Sequence, residues 1–187
     1  MATRPHNKLI STDSIGVVGR NYYWYNHAIF NITKAELRAV GVVDGKVYID
    51  NDLAQPLLAA KAVLESQGYT LAIVDGYRSP ELYTIAYATN AKLLGQSNAD
   101  GLINIVDMPH SSGRVIDVQL RDFKTNKELY LRDGRDGMGC HFVDYYKART
   151  DKKSQRFQRL QTILIDAMLS QGFVLGKKQE YWHFELP

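Results

Sequence analysis

The sequence predicts an α+β protein in which helices pack on a small antiparallel sheet. Three observations point that way. Two long segments, Leu53 to Gln67 and Ser154 to Ser170, repeat their apolar residues at helical spacing. The run Val115-Ile116-Asp117-Val118-Gln119-Leu120 alternates as a strand and is followed by turn residues. The end of the chain reads as a hairpin, Phe173 to Leu175 and Trp182 to Leu186, about Gly176-Lys177-Lys178-Gln179. Helices early and antiparallel strands late characterise this class.

Taken in order, residues 1–33 are rich in Asn, Tyr and Trp and read as irregular structure packed by aromatics, with Tyr22 to Tyr25 in the core, at its rim or lining a substrate cleft. Thr33 to Val40 is a short helix with Thr33 as cap and Glu36 in the capping-box position. Val42 to Asp50 reads as a hairpin about Asp44-Gly45. Gly68 stops the helix that begins at Leu53, and Tyr69 to Val74 is a short apolar strand. Ser79-Pro80-Glu81 starts a helix, serine as cap and proline in the first turn, that runs to about Leu94. The strand Val115 to Leu120 turns through Phe123 to Asn126 into a partner, Glu128 to Leu131. The last helix places Phe157, Leu160, Leu164, Ala167 and Met168 on one stripe and stops at Gly172.

Composition narrows the function. The chain has 187 residues, 45% hydrophobic and 23% charged, which suits one domain spanning 1–187 with a full core. A single cysteine, Cys140, excludes an internal disulfide framework and Cys-rich zinc knuckles. With 23 basic against 20 acidic side chains, the net charge of +3 is too small for a nucleic-acid partner. No apolar run approaches the ~20 residues that span a bilayer. The stretch Met1 to Ser11, with Pro5, His6 and Lys8, does not read as a signal peptide, so a soluble, cytoplasmic protein is expected.

Chemistry concentrates in three places. His110-Ser-Ser-Gly-Arg-Val-Ile-Asp117 is the first, and Glu180-Tyr-Trp-His183 the second. Chance alone places roughly 0.4 His-Asp pairs and roughly 0.2 Glu-x-x-His pairs at these offsets, so each spacing is weak alone and context carries it. Seven extended residues reach ~23 Å, whereas two zinc ligands must each come within ~2 Å of the ion. His110 and Asp117 can therefore share a metal only if the chain folds back at Ser111-Ser112-Gly113, which has turn chemistry. Asp117 sits among branched aliphatics and requires a partner, either a metal ion or an arginine. In a regular strand Glu180 and His183 would face opposite sides, so a shared site requires a bend at Glu180. That arrangement suits His183 as a ligand with Glu180 handling protons.

The third place is Asp75-Gly76-Tyr77-Arg78-Ser79-Pro80, at the end of a strand and the mouth of a helix. Arg78 can steady a developing oxyanion, or it can pair with Asp75 or Glu81. Lone histidines such as His6 and His27 read as surface or packing residues. Adjacent side chains of an extended chain point apart, which argues against a Cys140-His141 nucleophile pair and for Cys140 as a buried filler.

In this order and at these distances, Asp75-Gly76-Tyr77-Arg78, His110-Ser-Ser-Gly113-Arg-Val-Ile-Asp117 and Glu180-Tyr-Trp182-His183 resemble the motifs of the zinc D-alanyl-D-alanine dipeptidases and their carboxypeptidase relatives, the vancomycin-resistance dipeptidases above all. An aromatic at Tyr181, where the carboxypeptidases usually have proline, is the dipeptidase form. The resemblance runs from about Leu53 to the end and implies the hedgehog/D-Ala-D-Ala-peptidase-like fold. It also implies one Zn2+ per chain, held by His110, Asp117 and His183. Glu180 would be the general base and Arg78 would steady the tetrahedral intermediate. Tyr77, Asp136 and Trp182 are candidate substrate-binding residues.

Three protein ligands leave a fourth position for water, as in catalytic zinc sites. The family's anchors for the free amino group of the dipeptide fall at Met108 and Gly137, with Asp107 and Asp136 each one residue away. Methionine accepts no strong hydrogen bond from an ammonium. The expected activity is hydrolysis of D-Ala-D-Ala, a small D-amino-acid-containing peptide. The alternative is a carboxypeptidase or endopeptidase acting on peptidoglycan stem peptides. A metal-stabilised binding module stands third, because a structural site has no use for Glu180 as an unligated base.

Overall fold

The computed structural model describes residues 8–187, so the amino-terminal stretch with Pro5 and His6 lies outside them. The described residues divide into two compact units, one containing 8–51 and Ile73–Ile116, the other Asp52–Ala72 and Asp117–Pro187. The division passes through two strands, β4 (Tyr69–Asp75) and β5 (Val115–Asp122).

In the first unit β1 (Leu9–Ser11) pairs antiparallel with β3 (Tyr48–Asp50), Ile10 opposite Ile49. Asp44-Gly45 is therefore a bend and not the tip of a hairpin, which corrects the sequence expectation. The local turn signal is real, since Lys46 N donates to Asp44 Oδ1 at 2.9 Å, but tertiary contacts direct the strand elsewhere. Gly45 lies against Tyr25, where a Cβ would stand 2.8 Å from the hydroxyl oxygen. Its carbonyl accepts Asn21 N at 2.9 Å, and the Asn21 side chain caps α1 (Tyr22–Asn26). The aromatic stretch expected to be irregular thus contains one short helix.

Thr33 and Glu36 form the predicted capping box at the start of α2 (Lys34–Ala39). Ser79 Oγ accepts Leu82 N at 3.2 Å and Pro80 occupies the first turn of α4 (Pro80–Leu94), again as predicted. Gly95, with a left-handed φ of 87°, ends that helix, and α5 (Gln96–Leu102), absent from the sequence reading, packs back on it. Tyr23, Phe30, Leu37, Leu82, Tyr83 and Ile103 belong to the core cluster of this unit.

The second unit is built on α3 (Ala54–Ser66) and α6 (Lys152–Leu169), which pack together. α3 buries Leu57, Ala60 and Leu64, and the chain leaves it through Gly68 at φ 84°. α6 begins two residues earlier than expected because the Asp151 side chain accepts Ser154 N at 2.9 Å. Its buried stripe is the predicted one with Ser154 and Gln161 added, Gln161 fully buried and donating to Leu131 O at 2.9 Å. That bond explains why the expected partner strand, Glu128 to Leu131, shrinks to a bridge between Arg121 and Glu128: beyond it the backbone turns to α6. β6 (Val174–Leu175) and β7 (His183–Glu185) form the closing antiparallel hairpin.

With β2 (Val18–Gly19), the five-stranded sheet has the order β2-β4-β5-β7-β6. The protein is α+β. Among the described residues no helix is long and apolar enough to cross a membrane.

Leu164 is fully buried on the α6 stripe. Leu164→Ala is expected to lower unfolding free energy by about 2–5 kcal/mol through the transferred methyls and the cavity left behind. Asp151→Ala should cost about 1 kcal/mol through the lost cap. Urea denaturation measures both.

Candidate metal centre

The strand order makes β5 and β7 neighbours, and Val118 N donates to Trp182 O at 2.9 Å. This pairing brings Asp117 beside His183. Flanking Ile116 and Val118 are buried at 0% and 3% exposure while Asp117 points the other way, as the alternation predicts. Asp117 Oδ1 lies 2.8 Å from His183 Nδ1, so its partner in this structure is an imidazole. On the far side of the ring, His183 Nε2 is 3.7 Å from Glu185 Oε1. Glu185 lies two residues beyond His183 and so on the same strand face, a signal the sequence reading did not use. Burial pulls the His183 pKa down, but the hydrogen bonds to Asp117 and Glu185, with the charges of Asp117 and Glu180, push it up to about 10. Gly176, in the hairpin, leaves room for this ring: a Cβ there would meet His183 Cδ2 and approach Nε2 to 3.0 Å.

The bend required at Glu180 is present. His183 N donates to Glu180 O at 3.2 Å, closing a four-residue turn, and Glu180 is itself buried and bridged to Phe142. Trp182 sits inside that turn, edge-on to Tyr181 at 4.7 Å and to His141 at 5.0 Å.

His110 is carried by a 3-10 turn, Pro109–Ser112, that Gly113 ends with φ 72°. This is the fold-back that the serine-serine-glycine run foretold. His110 Nδ1 lies 2.9 Å from Gly76 O. A carbonyl only accepts, so Nδ1 carries the proton and Nε2 has the lone pair suited to a metal. Gly76 must approach closely for this: a Cβ would stand 2.8 Å from Val47 Cγ1 and against the Tyr48 carbonyl.

His110, Asp117 and His183 each offer a ligand atom, and these atoms lie within 4.8 Å of one another. Donors around a tetrahedral zinc, bound at ~2.0–2.2 Å, stand ~3.3 Å apart, so this set fits the ion after small side-chain shifts. Two neutralisable imidazoles and a carboxylate also match the donor preference of zinc.

Arg78 pairs with Asp75, its Nε at 3.1 Å and a terminal nitrogen also on Oδ2. Both residues are buried, at 6% and 2% exposure. The guanidinium lies over the rings of Tyr83 and Tyr23, 4.4 and 5.2 Å from their centroids. Neither ring was singled out for this role from the sequence, because cation-aromatic contacts between distant segments leave no local pattern.

Tyr77 is half-buried, its N donating to Tyr48 O at 2.7 Å. Asp136 is occupied: its carboxylate accepts from Tyr146 OH at 2.8 Å and from Arg149 at 3.2 Å. Asp107 is exposed and accepts from Asn104 at 2.9 Å, and Met108 holds a left-handed φ of 44°. Gly137 separates the two 3-10 turns Gly134–Asp136 and Met138–His141. Cys140 is fully buried with Tyr146 and Phe157.

Burial, reinforced by the charge of Arg132, holds the His141 imidazole down to about 4, and its Nδ1 is buried with no hydrogen-bond partner. Unfolded, this group takes a proton below about pH 6.5. Between that value and the folded pKa the unfolded state binds more protons. Stability present above pH ~6.5 is therefore lost as pH falls toward 4. His141→Phe should flatten this part of the stability curve in urea denaturation between about pH 7 and about pH 4.5. An unchanged slope would contradict the assignment.

Residues 28–187 match the family model described as D-Ala-D-Ala dipeptidase, of the M15 peptidases. No curated protein matches the chain. Among solved structures it is similar to the LdcB LD-carboxypeptidase, whose structure addresses peptidoglycan recognition, with 20% identity, a TM-score of 0.46, and coverage of 74% of this chain and 59% of that one. It is also similar to the vancomycin-resistance D,D-dipeptidase VanXYg in complex with a D-Ala-D-Ala phosphinate analogue, with 17% identity, a TM-score of 0.45, and coverage of 96% and 66%. The chain spans less than two thirds of the length of either protein. The family match extends over the Asp-Gly-Tyr-Arg segment, all three candidate ligands and Glu180, and on that match the chain belongs to the M15 family of metallopeptidases.

Proposed function

We propose that this protein is a zinc peptidase that hydrolyses D-alanyl-D-alanine, with His110, Asp117 and His183 as ligands. The observation that carries the reading is the convergence of these three donors within 4.8 Å. Zinc held there supplies Lewis acidity and brings the pKa of water toward neutrality. Glu180, bent back beside His183 by the turn, takes the proton of the attacking water and delivers it to the leaving amine. Arg78 offers its charge to the oxyanion that develops at the scissile carbonyl. Its plane is set by Asp75 and the two tyrosine rings, so little reorganisation accompanies the reaction.

One observation favours a second reading, a carboxypeptidase or endopeptidase acting on peptidoglycan stem peptides. A dipeptidase needs an anchor for the free ammonium of its substrate. The Asp136 carboxylate is already neutralised by Arg149 and hydrogen-bonded by Tyr146, and Met108 and Gly137 supply no acceptor side chain. A substrate whose chain continues on that side has no such ammonium.

Purified protein is expected to bind close to one zinc, and His110→Ala, Asp117→Ala or His183→Ala to lose it, as read by metal analysis. Glu180→Ala should retain the metal while hydrolysis of D-Ala-D-Ala falls by about two to four orders of magnitude. A Glu180→Ala protein that stays active would remove the base from the mechanism. Free D-Ala-D-Ala should be cleaved faster than its amino-blocked form, and the reverse preference selects the second reading.

A further inference from the structure

Tyr83 is 1% exposed, in the first turn of α4, and it makes two separate contacts with the segments that matter. Its hydroxyl oxygen accepts the His110 backbone N–H at 2.8 Å. Its ring lies under the Arg78 guanidinium, whose Cζ is 4.4 Å from the centroid. The two segments also touch directly: Arg78 N donates to His110 O at 3.3 Å and Ser111 Oγ donates to Arg78 O at 2.7 Å.

Each contact answers a need. An amide at the start of a short turn has no acceptor within that turn. The residue before Pro109 is Met108, held at φ 44°, a conformation that costs energy for methionine and persists only when its surroundings hold it. The Tyr83 hydroxyl supplies that hold where the turn begins. For Arg78, Asp75 grips one edge of the fork, and a ring face is what fixes the plane about that edge.

We propose that Tyr83 is a positioning residue for peptide hydrolysis, its hydroxyl setting the turn that carries His110 and its ring setting the guanidinium of Arg78. The inference rests on the reading of His110 as a metal ligand and Arg78 as the oxyanion's partner.

The two handles separate chemically. Tyr83→Phe removes only the hydroxyl. It is expected to weaken metal binding about tenfold in a competition titration and to change the visible spectrum of the Co2+-loaded protein. Its kcat at saturating metal is the baseline against which the ring is judged, because the ring remains. Replacing Tyr83 with 3,4,5-trifluorophenylalanine keeps the shape and removes the negative ring face. Its metal affinity should equal that of Tyr83→Phe, with kcat lower by about 3- to 10-fold. That further loss should vanish in an Arg78→Ala background, since the ring acts through the guanidinium.

A Tyr83→Phe protein with wild-type Co2+ spectrum and metal affinity overturns the hydroxyl half. Equal kcat for the Phe and trifluoro-Phe proteins, or a loss that persists without Arg78, overturns the ring half. A wild-type enzyme that cleaves no peptide ending in D-Ala-D-Ala refutes the functional reading and with it the role through Arg78. The cobalt spectrum judges the His110 role independently of that result.

Discussion

A carboxylate in the middle of an apolar strand must be met by a complementary group, and Asp117 is met by His183 at 2.8 Å. That contact exists only because β5 and β7 are neighbours in the sheet. The hairpin from β6 to β7, the turn at Glu180 and the small residue at Gly176 all serve to deliver the His183 ring to that position. An ion held in common would satisfy the same carboxylate and imidazole without asking either to return to water.

The second constraint is the burial of Arg78. A guanidinium at 6% exposure stays charged, so desolvation has to be offset locally. Asp75 balances the charge and the rings of Tyr23 and Tyr83 replace part of the lost hydration. The result is a cation with little freedom, which suits a group that must be in place before charge develops. The same segment contributes the Gly76 carbonyl that orients His110. The orientation of the His110 ring and the placement of the Arg78 charge therefore come from four consecutive residues, Asp75 to Arg78.

Much of this was legible beforehand because it rests on local physics. Capping at Thr33 and Ser79, the glycine stops at Gly68 and Gly172, and the apolar stripe of α6 are decided within a few residues. So was the bend at Glu180, which follows from requiring two residues three apart to serve one place. What failed depended on distant partners. Asp44-Gly45 has strong turn chemistry, yet the strand after it pairs with Leu9–Ser11, a segment too short to announce itself. The strand expected at Glu128 to Leu131 gave way to one hydrogen bond from Gln161, thirty positions later and invisible to any window. In the candidate centre each spacing was weak by itself, and the three donors and Glu180 were reached only through the joint order of the three motifs. The aromatic clamp on Arg78 was not reached, because tyrosines in a core and tyrosines under a guanidinium look alike in sequence. Asp136, one residue from the family's anchor position and a candidate substrate-binding residue, accepts hydrogen bonds from Arg149 and Tyr146, partners that no local pattern announces.

The ladder between β5 and β7 makes the centre a gauge of strand alignment. Side chains alternate faces with a period of two, so sliding β5 by one residue would swing Asp117 away and present Ile116 or Val118 to the histidine instead. Aliphatic groups cannot coordinate, and a misaligned sheet would be unable to load a cation at all. On the proposed reading of the centre, metal capture would act as proofreading: it would reward one pairing of the strands and withhold that reward from its nearest competitors.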